Sequence, residues 1–294
     1  MHFCVDALCV CCLYLTTGNV HDYLVYNVLA FLTQPFTGII VDKINSKYTV
    51  LFGAVFLFLG ATAMAVLTPD IKIVIAVLLG VGNSLFHVWG GREVAVATQN
   101  DIRALGIFVS PGVLGLAVGA VFCSWLLLFV LLVAIWFLST IHFCKVNDNA
   151  VVGTDNRLKN NKTTVLLIIA ICVVVMLRSY LAGGFSTGVE SDGGCMVLIA
   201  AAVAMSGKFL GGFLARLTSN YMIAFVIFVM ASVACLVAKN YVGGVVYVGL
   251  FAVNCTMPVT LYWAEKLLPG REGLSFGLLA ASLMPPYILS FLLS

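Results

Sequence analysis

The stretch from residue 38 to residue 47 reads Gly38-Ile-Ile-Val-Asp42-Lys43-Ile-Asn-Ser-Lys47, and it ends an apolar run in a short charged turn. A second apolar run begins directly after it, at residue 48, and continues to residue 68. An α-helix needs about 20 mostly apolar residues to cross the hydrocarbon layer of a membrane. The stretch therefore predicts two membrane-spanning helices joined by a polar turn.

The composition extends this prediction to the whole chain. Of its 294 residues, 62% are hydrophobic and only 9% are charged, and the formal net charge is +3. A soluble domain carries about 25% charged residues, so this chain cannot cover its surface adequately in water. The small number of charges also excludes a nucleic-acid-binding surface and a disordered chain. We expect an all-α integral membrane protein.

Polar residues, glycines and prolines divide the chain into eleven apolar segments. Their approximate limits are 1–18, 21–42, 48–68, 71–91, 103–121, 123–144, 163–187, 193–216, 219–238, 240–265 and 272–293. A cleaved signal peptide is an alternative for the first segment. That segment lacks a basic start, however, and it carries His2 and Asp6, so we expect it to be a span.

Lys and Arg are distributed unevenly among the turns between segments. Eleven of them follow even-numbered segments and two follow odd-numbered ones. Because cytoplasmic loops carry the excess of positive charge, we expect the N-terminus in the cytoplasm. The longest polar stretch predicts an N-terminal six-helix bundle, 1–145, a cytoplasmic linker, 146–162, and a C-terminal bundle of about five helices, 163–294.

The sequence contains no convincing metal site or catalytic constellation. Gly184-x-Ser186-x-Gly188 matches the letters of a nucleophile elbow, but it closes an apolar segment and lacks the strand-turn-helix setting that would expose the serine. Most of the ten cysteines lie inside apolar runs, and none has zinc-site spacing with a second pair. The phosphate-binding motif GxxxxGK[ST] and the metalloprotease motif HExxH are absent from the sequence. We therefore expect no metal, no cofactor and no enzymatic activity. Uphill transport would draw on an ion gradient, with the proton as the expected ion.

Two halves of the sequence carry related motifs. The second segment ends in Gly38-x-x-x-Asp42-Lys43-x-x-x-Lys47, and the eighth ends in Gly212-x-x-x-Arg216. The first of these resembles the signature loop between helices 2 and 3 of the major facilitator superfamily. In segment five, Ser110-Pro111-Gly112-x-x-Gly115 resembles the glycine-proline motif of helix 5, which is associated with antiporters.

Within that superfamily, the chain looks most like the fosmidomycin-resistance type of efflux carrier. The resemblance rests on the opening His2-Phe-x-x-Asp6, on the run Gly80-x-Gly82-Asn-Ser-Leu-Phe86-His87 and on Leu268-Pro269-Gly270-Arg271-x-Gly273. It implies a two-bundle carrier in a bacterial cytoplasmic (inner) membrane. The family has twelve helices, so the last, peripheral helix is missing from this count of six plus five. Arg216 also departs from the family pattern, which has an acid at that position.

Charged side chains at membrane depth need a partner or a wet cavity. Arg178 lies deep in segment seven, and we expect it to hold an anionic substrate group or to pair with a titrating carboxylate; snorkelling to the interface is the alternative. Asp6 and His2 are one helical turn apart on the same face, and together with His87 they are candidates to bind the coupling proton. The alternatives are a solvated helix end for Asp6 and, for His87, a bond to a backbone carbonyl.

The motif of segment two suggests a gate. Asp42, with Lys43 and Lys47, is expected to latch one access state by pairing with cations or with a helix N-terminus across the interface between halves. An ordinary charged turn is the alternative. The resemblance adds Gly38 to this gating loop, and it makes Ser110, Pro111, Gly112 and Gly115 the helix-5 motif.

Small residues and prolines predict where helices approach and bend. Gly115-x-x-x-Gly119 in segment five and Gly207-x-x-x-Gly211 in segment eight allow close helix contact, and we expect these two faces to meet each other. Pro111 is expected to bend segment five, and Pro285-Pro286 to bend or break segment eleven.

Taken together, the residues and the resemblance predict proton-coupled export, an antiport, of a small and partly apolar molecule by alternating access. One rival is an uptake carrier for a small anion held by Arg178. A second is a non-transporting membrane scaffold or sensor, which a centre filled by side chains would favour. The expected partners are the substrate and the lipid bilayer, without nucleic acid, and the expected state is a monomer.

Overall fold

The computed structural model describes residues 1–16, 20–44, 48–66, 72–145, 162–186 and 193–293. Within these ranges the regular structure is helical, and successive helical pieces form eleven rods. In chain order the rods are α1 (His2–Thr16), α2 (Val20–Asn27, the π-helical turn Val28–Leu32, and Gln34–Ile44), α3 (Tyr48–Val66), α4 (Lys72–Ala97), α5 (Ile102–Val109 and Pro111–Val121), α6 (Trp125–Lys145), α7 (Lys162–Ser186), α8 (Gly194–Arg216), α9 (Tyr221–Ala238), α10 (Val245–Leu267) and α11 (Glu272–Ala281 and Met284–Leu293).

The described rods correspond to the eleven predicted segments, but they are not equally long. Eight of them, α2 and α4 to α10, are long and apolar enough to cross a membrane. Helix α1 and the apolar part of α3, Tyr48–Ala63, are shorter, and α11 is divided into two pieces. The prediction of an all-helical membrane chain is confirmed.

Prolines explain two of the interruptions. Helix α5 is interrupted at Ser110, and Pro111 begins its second piece. Helix α11 is interrupted after Ala281, and Pro285 and Pro286 lie in the first turn of its second piece. Proline has no N–H to donate, and the first turn of a helix is where that donor is not needed. Both helices are thus interrupted at the prolines where a bend or break was predicted.

Helices α2 and α11 cross through glycines. A Cβ on Gly38 would overlap the carbonyl oxygen of Gly273, and a Cβ on Gly277 would overlap that of Gln34. The two backbones therefore approach with no side chain between them, which only glycine permits here.

Helices α5 and α8 cross in the same manner. A Cβ on Gly212 would lie 2.5 Å from the carbonyl oxygen of Ile102, and a Cβ on Gly106 would lie 2.8 Å from that of Lys208. Both distances are too short for a real Cβ contact. These glycines are required for the close approach, as they are at the first crossing.

The spacing of residues relates the two crossings to each other. Gln34 precedes Gly38 by one helical turn on α2, and Lys208 precedes Gly212 by one helical turn on α8. Each crossing thus uses a backbone carbonyl followed four residues later by a glycine. The two crossings are related by an approximate internal symmetry in which Gln34 and Lys208 are equivalent positions.

Both crossings lie at one end of the bundle, which we call the basic end. Its described cations include Lys43, Arg92, Arg103, Lys162, Arg216, Lys266 and Arg271. The outer surface between the two ends is apolar, as contact with lipid tails requires. Its exposed side chains include Phe129, Trp136, Leu166, Ile227 and Met230. The predicted linker, 146–162, lies outside the described residues except for Lys162, which begins α7. The division into two bundles stays a prediction.

One predicted helix contact is wrong. Gly115 and Gly119 of α5 lie against the backbone of α1, whereas Gly207 and Gly211 of α8 lie against the backbone of α10. The two glycine pairs therefore do not face each other. A row of small residues marks a surface that permits close approach, but it does not name the helix that uses it.

Candidate functional site: a His-Asp-His cluster in a central cavity

A cavity of about 250 Å³ lies between eight of the rods, namely α1, α2, α4, α5, α7, α8, α10 and α11. Most of its lining is apolar, and a few ionisable side chains converge on it. These are His2, Asp6, His87, Arg178 and Lys208. The four intramembrane residues singled out from the sequence thus line one space, with Lys208 in addition.

Asp6 is the centre of a compact buried cluster. Its Oδ2 lies 3.3 Å from Nε2 of His2, and its Oδ1 lies 3.4 Å from Nε2 of His87. The side-chain amide of Asn83 donates to Oδ1 over 3.1 Å. Asp6 is therefore a buried carboxylate held by three neighbours and not a solvated helix end.

The hydrogen bonds of the two rings fix where their protons lie. Nδ1 of His2 is 2.7 Å from the carbonyl oxygen of Phe108, and Nδ1 of His87 is 3.0 Å from that of Asn83. A carbonyl oxygen only accepts, so each Nδ1 carries a proton. In a neutral imidazole the other nitrogen, Nε2, is then a bare acceptor.

The two Nε2 atoms nevertheless lie only 2.8 Å apart. Two bare acceptors cannot form a hydrogen bond, so one additional proton must lie between the rings of His2 and His87. The pair then carries one positive charge, which the carboxylate of Asp6 balances. Buried charges are tolerated when they are paired and hydrogen-bonded in this way. The cluster can therefore hold one exchangeable proton.

The same three residues could in principle hold a metal ion, since their ligand atoms all lie within 4.8 Å of one another. Two nitrogens on a tetrahedral metal with bonds of about 2.0–2.1 Å would be about 3.3 Å apart. The observed separation of 2.8 Å between the two Nε2 atoms is that of a hydrogen bond. The geometry fits a proton better than a metal.

Local sequence explains how the cluster is assembled. His2 and Asp6 are four residues apart on α1, and Asn83 and His87 are four residues apart on α4, so each pair shares one helix face. Gly112 closes the cluster from α5. A Cβ there would overlap both the Asp6 carboxylate and the His2 ring.

The break in α5 supplies a further contact. Because Pro111 has no N–H, the carbonyl of Ile107 loses its helical partner, and the hydroxyl of Ser110 donates to it over 3.0 Å instead. The next carbonyl, that of Phe108, accepts from His2. The helix-5 motif thus brings a backbone acceptor and a glycine to the cluster.

Arg178 and Lys208 face the same cavity without a counter-ion. Nε of Arg178 is buried with no hydrogen-bond partner. None of the ion pairs among the described residues includes Arg178 or Lys208. Two roles were predicted for Arg178. The described residues show no pairing of Arg178 with a carboxylate, so only the role of holding an anionic substrate group is left.

At the basic end, Asp42 joins α2 to α11. Its carboxylate accepts from the backbone N–H groups of Gly273, over 2.8 Å, and Leu274, over 2.9 Å. Nε of Arg92 lies 3.3 Å from the same carboxylate. A carboxylate at a helix N-terminus satisfies amides that otherwise lack partners. Of the neighbouring cations, Lys43 is exposed, and Lys47 lies outside the described residues.

The second crossing carries the opposite arrangement. Arg216, which stands where the family pattern has an acid, lies 3.5 Å from the carboxylate of Asp101 at the start of α5. Asp101 accepts from the backbone N–H of Arg103 and also pairs with its guanidinium. The hydrogen bonds from Arg103 hold the pKa of Asp101 below its usual value. At this crossing the acid is therefore Asp101, at the start of α5, and the cation is Arg216 of α8.

Sequence reasoning missed three buried polar residues. Asn83 orients Asp6, and Gln34 lines the cavity. Glu265, near the end of α10, is completely buried, and neither of its carboxylate oxygens has a hydrogen-bond partner in the described part of the chain. In the sequence it lies beside Lys266 at the end of an apolar segment, and nothing there indicates its burial. Asn83 lies in the run from Gly80 to His87, but nothing in the sequence indicates its contact with Asp6.

Comparisons with solved structures identify the fold. The chain is similar to the E. coli fucose:proton symporter FucP, with a TM-score of 0.69 and 13% identity over 99% of this chain and 88% of that one. It is also similar to FucP described as a major facilitator superfamily transporter in the outward conformation, with a TM-score of 0.65 and 12% identity over 99% and 90% of the two chains. No protein-family model and no curated protein matches the chain. The chain has the fold of the major facilitator superfamily transporters.

Proposed function

We propose that the chain is a secondary carrier that couples the movement of a small molecule to a proton by alternating access. The observation that carries this proposal is the additional proton that the geometry requires between His2 and His87, next to Asp6 and at the wall of a cavity. A proton held there borders the substrate cavity, and His2 also lines a second cavity next to Trp89 and His142. Its release can therefore respond to the state of the substrate site.

In this proposal the two crossings at the basic end close the cavity on that side. Asp42 holds the start of α11, and Arg216 with Asp101 holds α8 against the start of α5. Opening the basic end requires both contacts to break. Loss or gain of the shared proton changes the charge beside α1 and α5, and it therefore biases that step.

We propose export as the direction of transport, because the helix-5 motif resembles that of antiporters. We also propose that the chain is a carrier of the fosmidomycin-resistance type. The positive-charge bias supports a cytoplasmic basic end and N-terminus, and with the resemblance it supports a bacterial cytoplasmic membrane. The cavity argues against the scaffold alternative, which a filled centre would have favoured.

Counterflow in proteoliposomes tests the coupling. Wild-type protein is expected to move a small-molecule substrate faster when a pH gradient is imposed. Asp6→Asn is expected to retain exchange and to lose its dependence on the gradient. His142→Gln is the matched control, because His142 is an intramembrane histidine outside the cluster. Substrate movement that is indifferent both to the gradient and to Asp6→Asn would remove the coupling proposal.

A further inference from the structure

We propose that the cavity binds a small, partly apolar organic carboxylate that also carries a hydroxyl or amine donor. Arg178 and Lys208 hold the carboxylate, and Gln34 accepts the hydrogen bond from the donor. This inference names a substrate class for the proposed carrier and so rests on that function, but the binding site is argued from contacts alone and is tested by binding alone.

The cavity contains two cations that have no anionic partner. Arg178 and Lys208 both line the cavity, and neither belongs to an ion pair among the described residues. The nearest acid in the cavity, Asp6, is already engaged by two histidines and an amide. A buried charge without a partner is costly. Arg178 and Lys208 are both half-buried, and two unpaired charges of this kind on one cavity wall favour an anionic ligand.

The charge balance supports the same conclusion. Asp6 is balanced by the proton shared between His2 and His87, so this cluster is neutral as a unit. Arg178 and Lys208 then leave the cavity with an excess positive charge. A metal cation would be repelled by them, whereas a carboxylate can accept from the guanidinium and the ammonium together.

The side-chain amide oxygen of Gln34 lacks a hydrogen-bond donor. Its Nε2 donates to the carbonyl oxygen of Ala30 over 2.7 Å, which fixes the orientation of the amide. Its Oε1 is buried and has no hydrogen-bond partner. An amide oxygen only accepts, so the missing partner must be a donor. Gln34 lines the cavity but is fully buried in this structure, so a ligand hydroxyl or amine supplies that donor after a small local movement of the cavity wall.

The two polar side chains of the proposed site come from equivalent positions in the two halves of the fold. Gln34 and Lys208 are the equivalent positions of the two crossings, one turn before Gly38 and Gly212, and both reach the same cavity. A ligand that uses both side chains therefore bridges α2 and α8. It would sense any relative movement of these helices, which is what a transported substrate must do.

The lining and the size limit the rest of the ligand. Most of the wall is apolar, including Phe31, Val113, Leu261 and Phe276, and the cavity measures about 250 Å³. Small-molecule sites of this kind combine an apolar wall with a few placed polar groups. An aromatic ring bearing a carboxylate and a hydroxyl group has the required size and chemistry.

The test measures direct binding to the purified full chain in detergent by isothermal titration calorimetry. The probes are 3- and 4-hydroxybenzoate, benzoate and 4-hydroxybenzamide. At least one hydroxybenzoate is expected to bind at least tenfold more tightly than 4-hydroxybenzamide, which lacks the charge, and at least threefold more tightly than benzoate, which lacks the donor. Absence of saturable binding by both hydroxybenzoates, or equal binding of acid and amide, overturns the proposal.

Variants assign the contacts. Arg178→Gln and Lys208→Gln are each expected to weaken hydroxybenzoate binding at least tenfold and to leave any amide binding unchanged, and Gln34→Leu to abolish the preference for the hydroxyl group. Lys72→Gln, at the far end of α4, is the control. If Arg178→Gln does not fold, Lys208→Gln decides alone, and unchanged binding in it overturns the assignment. Selective binding without proton-coupled transport would leave this site standing and remove the proposed function instead.

Discussion

Asp42 on α2 and Arg216 on α8 occupy equivalent places, four residues after a crossing glycine, and carry opposite charges. Asp42 accepts from the first amides of α11, whereas Arg216 pairs with Asp101, the acid at the start of α5. Each crossing thus has one carboxylate at the N-terminus of the partner helix, which is where a helix favours negative charge. The exchange of charge between the two helices preserves the contact.

Asp42→Ala should loosen the first crossing. Replacing a capping residue by alanine costs about 0.5–2 kcal/mol, or a two- to thirtyfold change in an equilibrium constant. Amide hydrogen exchange over residues 272–281 should rise by that factor when followed by mass spectrometry. Lys43→Gln, one residue away and exposed, should leave exchange unchanged. Unchanged exchange in Asp42→Ala would mean that the Asp42 side chain does not hold α11.

The second crossing should depend on pH through Asp101. The pKa of Asp101 is lowered, so its contribution is present above its ordinary value of about 3.9 and is lost as the pH falls through the lower value in the folded state. Hydrogen exchange at the start of α5 should therefore be stable from pH 7 to pH 5 once corrected for intrinsic rates, and it should rise in strong acid. Arg216→Glu should raise it already at pH 7. A rise between pH 7 and pH 5 in the wild type would assign the contact to another group.

Gly112→Ala should disrupt the proton cluster. Its Cβ would overlap Asp6 and His2, and overpacking of this kind costs about 1–3 kcal/mol. Thermal unfolding in detergent should show a lower midpoint, and transport should lose its response to a pH gradient.

The control for Gly112→Ala is another helical glycine. A Cβ on Gly183 meets nothing within 4 Å, and exchanging a helical glycine for alanine gains up to about 1 kcal/mol. Gly183→Ala should therefore unfold at the same or a higher temperature. A similar loss of stability in both variants would show that space at the cluster is not the cause.

Glu265→Met should stabilise the protein. The completely buried carboxylate of Glu265 has no hydrogen-bond partner in the described residues, and an unsatisfied buried polar group costs about 1–3 kcal/mol. The unfolding midpoint in detergent should rise. Glu272→Gln should not raise it, because Glu272 accepts from the backbone N–H of Gly270. A lower midpoint in Glu265→Met would indicate a partner for the carboxylate.

Residue spacing was enough to predict some of the fold and site. Apolar runs and their polar turns gave the helical rods, and the four-residue spacing of His2 and Asp6 gave their shared face. Prolines at 111 and 285 marked the two breaks, because the absence of an N–H acts locally whatever surrounds it.

Contacts between distant segments could not be predicted in the same way. The amide of Asn83 and the carbonyl of Phe108 complete the cluster, yet each looks unremarkable in the sequence. The glycine pairs of α5 and α8 predicted close approach correctly but the wrong partner. Gln34 and Glu265 are single polar letters in apolar surroundings, and only burial shows that their oxygens lack partners.

The crossings at Gly38 and Gly212 place main chain directly on main chain. At such a crossing, called a seam here, no side chain could change rotamer to keep contact as the helices separate. A partly separated seam would therefore leave backbone peptide groups next to an empty gap. We expect the two seams to separate in one concerted event. Single-molecule distance recordings across the basic end should then show abrupt jumps between two levels, without a plateau between them.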